Sequence, residues 1–489
     1  MKTYPQLYIG GKWMYPLGDL TAQVTDSATE EVIGEVCMGN AQDADLAVSA
    51  ARTAFEYWSR TTPAERADWL WKIHAGLQKN TEHIATLIAR EVGSPLAFAR
   101  DTQAGLPLAT FAFNAHLLQG FAFSESIGNS EVVREAAGVV ACITPWNTPL
   151  HQIAAKLAPA LAAGCTVILK PSAAAPLNAF LLTEIIDSIG LPPGVFNLVS
   201  GPGPVVGEAL ATHPQVDLIS FTGSAKVGKR VAELAARTVK RVTLELGGKS
   251  ASILLEDADL QQAIPGAVQA CFVNAGQTCT AHSRMLVPES RYDRIALVVT
   301  QLANATRVGN PLDQATQLGP LVSDRQRERV RHYIRAGIEE GAALLAGGPY
   351  VPPGLERGYY VQPTVFGHVR PEMRIAQEEI FGPVLSILAY KDDEDAIRIA
   401  NDSIYGLSGG VWSRNVERAR KVALRLRTGQ VDINGGPFNA MAPFGGYKQS
   451  GYGRELGRFG IEAFLEYKSL QFPPQFSPLS SQPGNAVAV

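Results

Sequence analysis

The feature that most constrains the fold is an alternation of apolar and helical segments between Val139 and Leu246. Apolar runs of strand length recur at Val139–Ile143, Thr166–Leu169, Val195–Val199, Leu218–Phe221 and Val242–Leu246. Segments of helical character lie between them, at Leu150–Leu161, Leu177–Ile189, Val205–Thr212 and Lys226–Thr238. Strands that are apolar throughout are typical of sheets covered on both faces, so this alternation predicts a doubly wound parallel sheet. Ligands of such sheets bind beyond the carboxyl ends of the strands, and we expect the chemistry there.

A second alternating region, from about Ser250 to Asn434, predicts a second α/β domain, as a chain of 489 residues requires more than one core. Its candidate strands are Ile253–Glu256, Arg284–Val287, Val384–Tyr390, Gly406–Trp412 and Gln430–Ile433, and its candidate helices are Ser323–Glu340 and Asn415–Arg427. The turn at Gly247-Gly248 is the expected boundary between the two domains. Further on, Pro437–Gly453 is interpreted as a long ordered loop, and Ile461–Phe472 as a late strand.

Composition excludes several classes of partner. The chain has 43 basic and 46 acidic side chains and a net charge of -3, which offers no general attraction to nucleic acid. No apolar run is long enough to span a membrane, and the N-terminus lacks a secretory signal, so we expect a cytoplasmic protein. The five cysteines form no CxxC pair and no zinc-spaced cluster, which indicates free thiols and no metal site.

Polar and glycine-rich segments follow each strand of the first region. Asn147 lies between two prolines after the first strand, where its amide could stabilise an oxyanion, although a simple turn residue would look the same. Lys170 ends the second strand and could reach a phosphate or ribose, or could be a lysine at a sheet edge. Turns containing Gly203 and Gly223 lead from the next strands into helices, where an anion is favoured. They lack the GxGxxG pattern, but together they favour a nucleotide site over two tight turns.

Two further residues carry reactive groups. Glu245 is flanked by apolar residues, so burial would raise its pKa and suit it to general-base catalysis, unless it is paired with a lysine such as Lys249. Cys279 differs from the other cysteines because small and polar neighbours leave its sulfur approachable. A nucleophilic cysteine needs that access together with a lowered pKa, whereas a structural thiol needs neither.

Taken together and in order, these motifs resemble the NAD(P)-dependent aldehyde dehydrogenase superfamily. The segments that carry the resemblance are TPWNTP, LKPS, FTGSAKVG, LELGGKS, GQTC, EEIFGPV and PFGGYKQSG, and it extends from about Tyr8 to Phe472. It implies a Cys279 thiolate that attacks the aldehyde, an oxyanion site formed by Asn147 and the Cys279 amide, and a water activated by Glu245 that hydrolyses the thioester. It also implies an NAD or NADP site formed by Ile143, Trp146, Lys170, Ser172, Gly203, Gly223, Ser224, Leu246, Glu379 and Phe381.

The resemblance also implies an organisation of the chain. The cofactor-binding domain would comprise 1–113 and 137–247, the catalytic domain 248–447, and a small β oligomerisation arm 114–136 and 448–472. The arm would join subunits into a homodimer or homotetramer. The Pro- and Ser-rich segment 473–489 would form a disordered tail.

Three departures from the family pattern bear on specificity. Ala173 stands where many NAD-preferring members carry an acid, so NADP is as plausible as NAD. Thr148 and Ala155 are small where many relatives are bulky, which favours aromatic or long aldehydes.

An acylating enzyme that passes the acyl group to coenzyme A is the alternative reaction, and a silent binding protein on the same scaffold is the alternative class. Glu245 disfavours the acylating reaction, and the presence of Cys279, Glu245 and Asn147 together disfavours a silent binding protein.

Overall fold

A computed structural model describes residues 2–473, and the expected tail lies outside this range except for Pro473. The strands are β1 (Lys2–Tyr4), β2 (Leu7–Ile9), β3 (Lys12–Met14), β4 (Thr21–Thr25), β5 (Val32–Cys37), β6 (Ser124–Ile127), β7 (Ser130–Ala136), β8 (Val139–Ile143), β9 (Thr166–Lys170), β10 (Phe196–Leu198), β11 (Leu218–Thr222), β12 (Arg241–Glu245), β13 (Ala251–Leu254), β14 (Arg284–Pro288), β15 (Ala343–Ala346), β16 (Thr364–Gly367), β17 (Val384–Tyr390), β18 (Gly409–Trp412), β19 (Asp432–Ile433), β20 (Gly451–Tyr452) and β21 (Leu465–Gln471).

The α-helices pack on both faces of the larger sheets. They are α1 (Ala41–Trp58), α2 (Pro63–Lys79), α3 (Thr81–Val92), α4 (Leu96–Phe98), α5 (Gly105–Leu117), α6 (Pro149–Ala163), α7 (Leu177–Ser188), α8 (Glu208–Thr212), α9 (Ala225–Ala235), α10 (Leu260–Phe272), α11 (Tyr292–Ala305), α12 (Asp324–Glu339), α13 (Arg374–Gln377), α14 (Asp393–Asn401), α15 (Val416–Ala423) and α16 (Gly457–Glu462). Two π-helical turns, Ala99–Ala104 and Gly203–Gly207, precede α5 and α8. No helix in residues 2–473 is both long and apolar enough to cross a membrane.

The first predicted sheet is present, and its five central strands are parallel. They run in the order β12-β11-β8-β9-β10, with β20 added at one edge and the β2–β3 hairpin at the other. This is the doubly wound arrangement, in which the chain reverses its direction of progress between β8 and β11. Alternate residues of β8 belong to different hydrophobic cores, Val140 to one and Val139 to the other, because both faces of the sheet are covered.

Register in this sheet brings the predicted functional segments to one edge. Ile143 pairs with Lys170 on one side and with Phe221 on the other, and Thr222 pairs with Glu245. The carboxyl ends of four strands therefore lie at the same level, and the segments that follow them meet there.

The second predicted sheet has seven strands in the order β15-β16-β17-β14-β13-β18-β19. Its strands are parallel except for β15, and it encloses a separate hydrophobic core. The segment from α10 to β14, which contains Cys279, connects a helix of this domain to the central strand β14. Cys279 therefore approaches the first sheet from the second domain.

A three-stranded antiparallel sheet, β21-β7-β6, stands apart from the two large ones. It contains the predicted late strand, shortened to Leu465–Gln471, of which six residues are exposed. Within the segment 448–472, Gly451–Tyr452 instead pairs with β12 of the first sheet.

Candidate active site

The loop that carries Cys279 has an unusual backbone. Asn274, Ala275 and Gly276 have φ values of 53°, 55° and 70°, three consecutive residues in the left-handed region. A Cβ atom on Gly276 would lie 2.1 Å from the carbonyl oxygen of Gly382. Such conformations persist only where the surroundings impose them, so the loop before Cys279 is held in one shape.

Cys279 is the only partly exposed thiol among the five free cysteines, and the other four are buried. Burial raises its pKa to about 12, and the nearby carboxyl groups of Glu379 and Glu245 raise it further. The expected access is therefore present, whereas the expected lowering of the pKa is absent, and the thiol is protonated at neutral pH in this state. A positive charge near the sulfur, or protonation of either carboxylate, would favour the thiolate.

Asn147 is fixed to the loop of Cys279. Its side-chain amide donates to the backbone carbonyl of Gln277 at 2.9 Å, and its backbone carbonyl accepts from the side-chain amide of Asn274 at 3.0 Å. Gln277 in turn donates to Val92 and accepts from the Val322 amide. This network brings the predicted oxyanion donor to within two residues of the predicted nucleophile, and Gln277 and Asn274 are scaffold residues that sequence reasoning missed.

Glu245 ends β12 in a buried position, and neither of its carboxyl oxygens has a hydrogen-bond partner in residues 2–473. Burial raises its pKa well above the ordinary value and the charge of Glu455 adds to the effect, whereas Lys156 and Arg454 oppose it. The alternative pairing with Lys249 is not observed, because the Lys249 ammonium also has no partner in the described residues. Glu245 is thus a carboxyl group held ready to take up a proton.

A buried ion pair lies behind Glu245. The Lys156 ammonium, in α6, contacts the Glu455 carboxylate and donates to the Thr222 hydroxyl at 2.6 Å. Lys156 is fully buried and Glu455 nearly so. Sequence reasoning missed this pair because 299 positions separate its members.

The predicted adenosine side of the cofactor site lies at the carboxyl edge of the first sheet. Lys170 is buried, and among residues 2–473 its ammonium donates only to the carbonyl of Pro171, at 2.8 Å. Burial lowers the pKa of this ammonium to about 8. Gly203 begins the π-helical turn, where an added Cβ would meet open space, and Ser224 caps α9 by accepting from the Val227 amide. A buried cation, an open glycine turn and a helix N-terminus fit the phosphates and riboses of a dinucleotide.

The predicted nicotinamide side is built around the Gly247-Gly248 turn. The Glu379 carboxylate accepts from the Gly248 amide at 3.1 Å, and a Cβ on Gly248 would lie 2.7 Å from the Cys279 carbonyl oxygen. The rings of Trp146 and Phe381 meet edge to face with centroids 5.4 Å apart. Glu379 and Cys279 therefore converge on one turn.

The remaining predicted cofactor residues have structural contacts. Leu246 donates its amide to Ser450 and packs on Gly228, where an added Cβ would clash with it. Gly223 donates to the Glu245 carbonyl, and the Ser172 hydroxyl accepts from the amide two residues further on. The contacts described above thus join the segments of Asn147, Cys279 and Glu379 to the turn that follows Glu245. No group of three or more His, Cys, Asp or Glu side chains in residues 2–473 could hold a metal ion.

Comparison with known proteins agrees with this arrangement. The family model "Aldehyde dehydrogenase family" matches residues 14–470. A curated relative from a Pseudomonas species, 3-succinoylsemialdehyde-pyridine dehydrogenase, is 52% identical over 471 residues, covering 96% of this chain and 99% of that protein. A putative aldehyde dehydrogenase of Staphylococcus aureus is 45% identical over 470 residues, which cover 96% of this chain and 99% of that protein.

Solved structures give the same result. A variant of aldehyde dehydrogenase C from Pseudomonas syringae, in complex with NAD+ and octanal, superposes with a TM-score of 0.94 at 48% identity, covering 95% of this chain and 96% of that one. The Mycobacterium tuberculosis aldehyde dehydrogenase in complex with NAD+ superposes with a TM-score of 0.95 at 45% identity, covering 97% and 99%. The chain therefore belongs to the aldehyde dehydrogenase family and is an NAD(P)-dependent oxidoreductase that acts on the aldehyde group.

Proposed function

We propose that Cys279 and Glu245 divide the reaction between them. The Cys279 thiol adds to the aldehyde carbon and its proton passes to the aldehyde oxygen, which gives a thiohemiacetal. Release of the hydroxyl proton together with a hydride, which a bound nicotinamide cofactor would accept, leaves a thioester on Cys279. Glu245 takes a proton from water, and the resulting hydroxide cleaves the thioester to the carboxylic acid and the free thiol. The observation that carries this proposal is the buried Glu245 carboxyl group with two unpartnered oxygens and a raised pKa.

Asn147 and the backbone amide of Cys279 form the proposed oxyanion site. The hydrogen bond from the Asn147 amide to Gln277 holds that group beside the nucleophile loop. Donors placed in advance at the position of developing charge contribute a rate factor of about 100 or more each. Replacing the Asn147 amide by a group that cannot donate should therefore lower kcat by about that factor.

The proposed cofactor site combines Glu379 and Phe381, which precede β17 of the second domain, with residues at the carboxyl ends of the first sheet's strands: Ile143, Trp146, Lys170, Ser172, Gly203, Gly223, Ser224 and Leu246. We propose that Lys170 holds the adenosine ribose and that Glu379 with Phe381 positions the nicotinamide half. Ala173 is exposed and supplies no carboxylate near Lys170. Without that charge a 2′-phosphate is not repelled, so we expect both NAD and NADP to be accepted.

The substrate we propose is a long or aromatic aldehyde. Thr148, the N-cap of α6, and Ala155, within α6, are small at positions where the family resemblance implies larger side chains at the substrate entrance. Two relatives support this, since one is named for a pyridine-bearing semialdehyde and another binds octanal in its crystal structure. Transfer of the acyl group to coenzyme A is disfavoured, because a buried general base beside the thioester promotes hydrolysis before transfer.

We propose that the chain works as a homo-oligomer in the cytoplasm. Its domains would be a cofactor-binding domain of 1–113 and 137–247, a catalytic domain of 248–447, and an arm of 114–136 and 448–472. The exposed outer strand Leu465–Gln471 supports a partner subunit at the arm, because open strand edges are usually covered. Five free thiols, four of them buried, are typical of a reducing compartment.

The test is an aldehyde panel, aliphatic and aromatic, assayed with NAD and with NADP by the absorbance of the reduced nicotinamide. We expect reduction that requires an aldehyde and disappears in Cys279→Ala. The ratio of rates with the two cofactors measures the consequence of Ala173. Activity that appears only after coenzyme A is added would instead establish the acylating reaction, and activity retained by Cys279→Ala would remove Cys279 from the mechanism.

A further inference from the structure

A chain of buried hydrogen bonds reaches the loop of Cys279 from the segment that follows α3. The Ser94 hydroxyl donates to the side-chain carbonyl of Asn274 at 2.5 Å. The side-chain amide of Gln103 donates to the Ser94 oxygen and, at 3.4 Å, to the same carbonyl of Asn274. None of these three side chains is more than 4% exposed. Gln103 therefore donates to Ser94, which donates to the nucleophile loop, and hydrogen bonds in such a series strengthen one another.

The backbone holds both donors of this chain in place. Gln103 lies in the π-helical turn Ala99–Ala104, and turns of this kind are rare and often found at functional sites. Ser94 follows Gly93, which ends α3 with a φ of 85° and lies so close to Pro320 that an added Cβ would be 2.3 Å from its carbonyl oxygen. Neither donor therefore depends on a mobile surface segment for its position.

The side-chain amide of Asn274 can meet its neighbours in one orientation. Its nitrogen donates to the backbone carbonyls of Asn147 at 3.0 Å and Gln277 at 3.3 Å. Turning the group over would place its oxygen against these two carbonyl oxygens, neither of which can donate a hydrogen bond. The Ser94 hydroxyl, by donating to the oxygen on the opposite side, favours the observed orientation.

This orientation fixes the backbone of Asn147 as well as its side chain. Its backbone carbonyl accepts from Asn274, and its side-chain nitrogen donates to the backbone carbonyl of Gln277. A side-chain amide nitrogen carries two hydrogens, so the second N–H of Asn147 remains available for an oxyanion. Its direction depends on Asn274, because a displaced Asn274 would release the backbone on which this N–H is carried.

We propose that Ser94, supported by Gln103, is a positioning residue for Asn147. It acts through Asn274 and fixes the direction of the N–H that stabilises the oxyanion, without touching the substrate or the cofactor itself. The proposal rests on the aldehyde oxidation proposed above and adds to it a residue on which the rate depends. The alternative is that these hydrogen bonds only fasten the segments together, in which case their loss lowers stability but does not act through Asn147.

The test is a double-mutant cycle of Ser94→Ala and Asn147→Ala, with saturating cofactor and the aldehyde that the wild-type enzyme oxidises fastest. We expect Ser94→Ala to lower kcat/KM for the aldehyde about tenfold, since a displaced donor loses part of the factor of about 100 that a placed one contributes. The dissociation constant of the cofactor should not change. In the Asn147→Ala background, Ser94→Ala should change kcat/KM less than about twofold, because the group through which Ser94 acts is absent.

Two further variants guard against a loss of folding. Ser386→Ala is the matched control, because this buried serine of β17 also donates its hydroxyl to a backbone carbonyl, that of Ile375 at 3.3 Å, and it should keep the wild-type kcat/KM. Gln103→Leu removes the donor to Ser94 and should lower kcat/KM in the same direction but less. It takes the place of Ser94→Ala in the cycle if that variant unfolds in the assay.

The outcomes separate this inference from the reaction itself. An equal loss from Ser94→Ala with and without Asn147, or no loss at all, would overturn the inference and leave the oxidation in place. A loss of the same size in Ser386→Ala would also overturn it, because the effect would then be one of stability. Failure of the wild-type enzyme to oxidise any aldehyde would overturn the proposed reaction and the inference together.

Discussion

At the scale of single residues, two carboxyl groups and one thiol determine which groups of the site hold a proton. Glu245 and Glu379 both have raised pKa values because they are buried, and both raise the pKa of Cys279. The sulfur therefore holds its proton until the electrostatics around it change. A resting enzyme built in this way protects its nucleophile from unspecific reagents.

Glu245→Gln should separate oxidation from hydrolysis. The amide cannot take a proton from water, so the thioester accumulates while hydride transfer proceeds. We expect a stoichiometric burst of reduced cofactor followed by a steady rate lowered about 100-fold or more, measured by stopped-flow absorbance. Loss of the burst as well would contradict the assignment of Glu245 to hydrolysis alone.

The raised pKa of Glu245 also predicts a pH dependence. A general base acts in its deprotonated form, so a raised pKa moves the rise of the hydrolytic rate to higher pH than an ordinary glutamate, near 4.3, would give. The steady-state kcat should increase with pH through this raised pKa. A profile of kcat that is flat from acid to neutral pH would indicate another base or another limiting step.

The resting thiol should react slowly with iodoacetamide near neutral pH. With a pKa raised to about 12, the thiolate fraction and hence the alkylation rate should increase roughly tenfold per pH unit through this range. Glu379→Gln removes a charge that raises the pKa and should accelerate alkylation. Glu378→Gln is the matched control, because that carboxylate accepts a hydrogen bond from the Tyr333 hydroxyl and is not among the groups that shift the pKa of Cys279.

At the scale of elements, the shape of the Cys279 loop depends on one glycine. Gly276→Ala introduces a Cβ at a φ of 70°, 2.1 Å from the Gly382 oxygen. We expect a loss of at least about 2 kcal/mol in the free energy of unfolding, measured by denaturant titration, together with a displaced Cys279 and lost activity.

Gly105→Ala serves as the comparison for this loop prediction. Gly105 begins α5 with helical backbone angles, and the nearest atom to an added Cβ is 3.9 Å away. Alanine there should leave stability unchanged or slightly improved. Equal effects of the two substitutions would mean that the left-handed loop is not required.

The elements that could be predicted from the sequence are those whose pattern is local. Val139–Ile143 and Val384–Tyr390 are strands over the predicted residues, because buried parallel strands are apolar throughout. Short elements were missed, since the two residues of Gly451–Tyr452 carry no period and are a strand only through their pairing with β12. The predicted helices do not include α1 to α5, because none of the motifs that follow the strands lies in the first 138 residues.

Candidate site residues divide in a similar way. Cys279, Glu245 and Asn147 lie within or beside recognisable segments and could be proposed from them. The Lys156–Glu455 ion pair could not be predicted in this way, because it forms between residues that are far apart in the chain. The raised pKa of Cys279 could not be predicted from the sequence either, since it follows from burial and from the charge of Glu379, which lies 100 positions further along the chain.

At the scale of the whole molecule, the small β21-β7-β6 sheet supports the proposal of a partner subunit. Leu470 is 40% exposed on its outer strand, and an isolated three-stranded sheet has little core of its own. We expect a dimer or tetramer by light scattering, and a smaller assembly in Leu470→Asp. Leu20→Asp, at a leucine 62% exposed elsewhere, is the control that should keep the wild-type mass. A monomeric wild type would contradict the arm proposal.

The ion pair behind Glu245 joins two residues that are synthesised at different times. Lys156 leaves the ribosome early, whereas Glu455 and the strand Gly451–Tyr452, which completes the edge beside Glu245, emerge among the last segments of the chain. A chain that ends before Gly451 therefore contains Cys279 and Glu245 but lacks both the strand that pairs beside Glu245 and the carboxylate that pairs with Lys156.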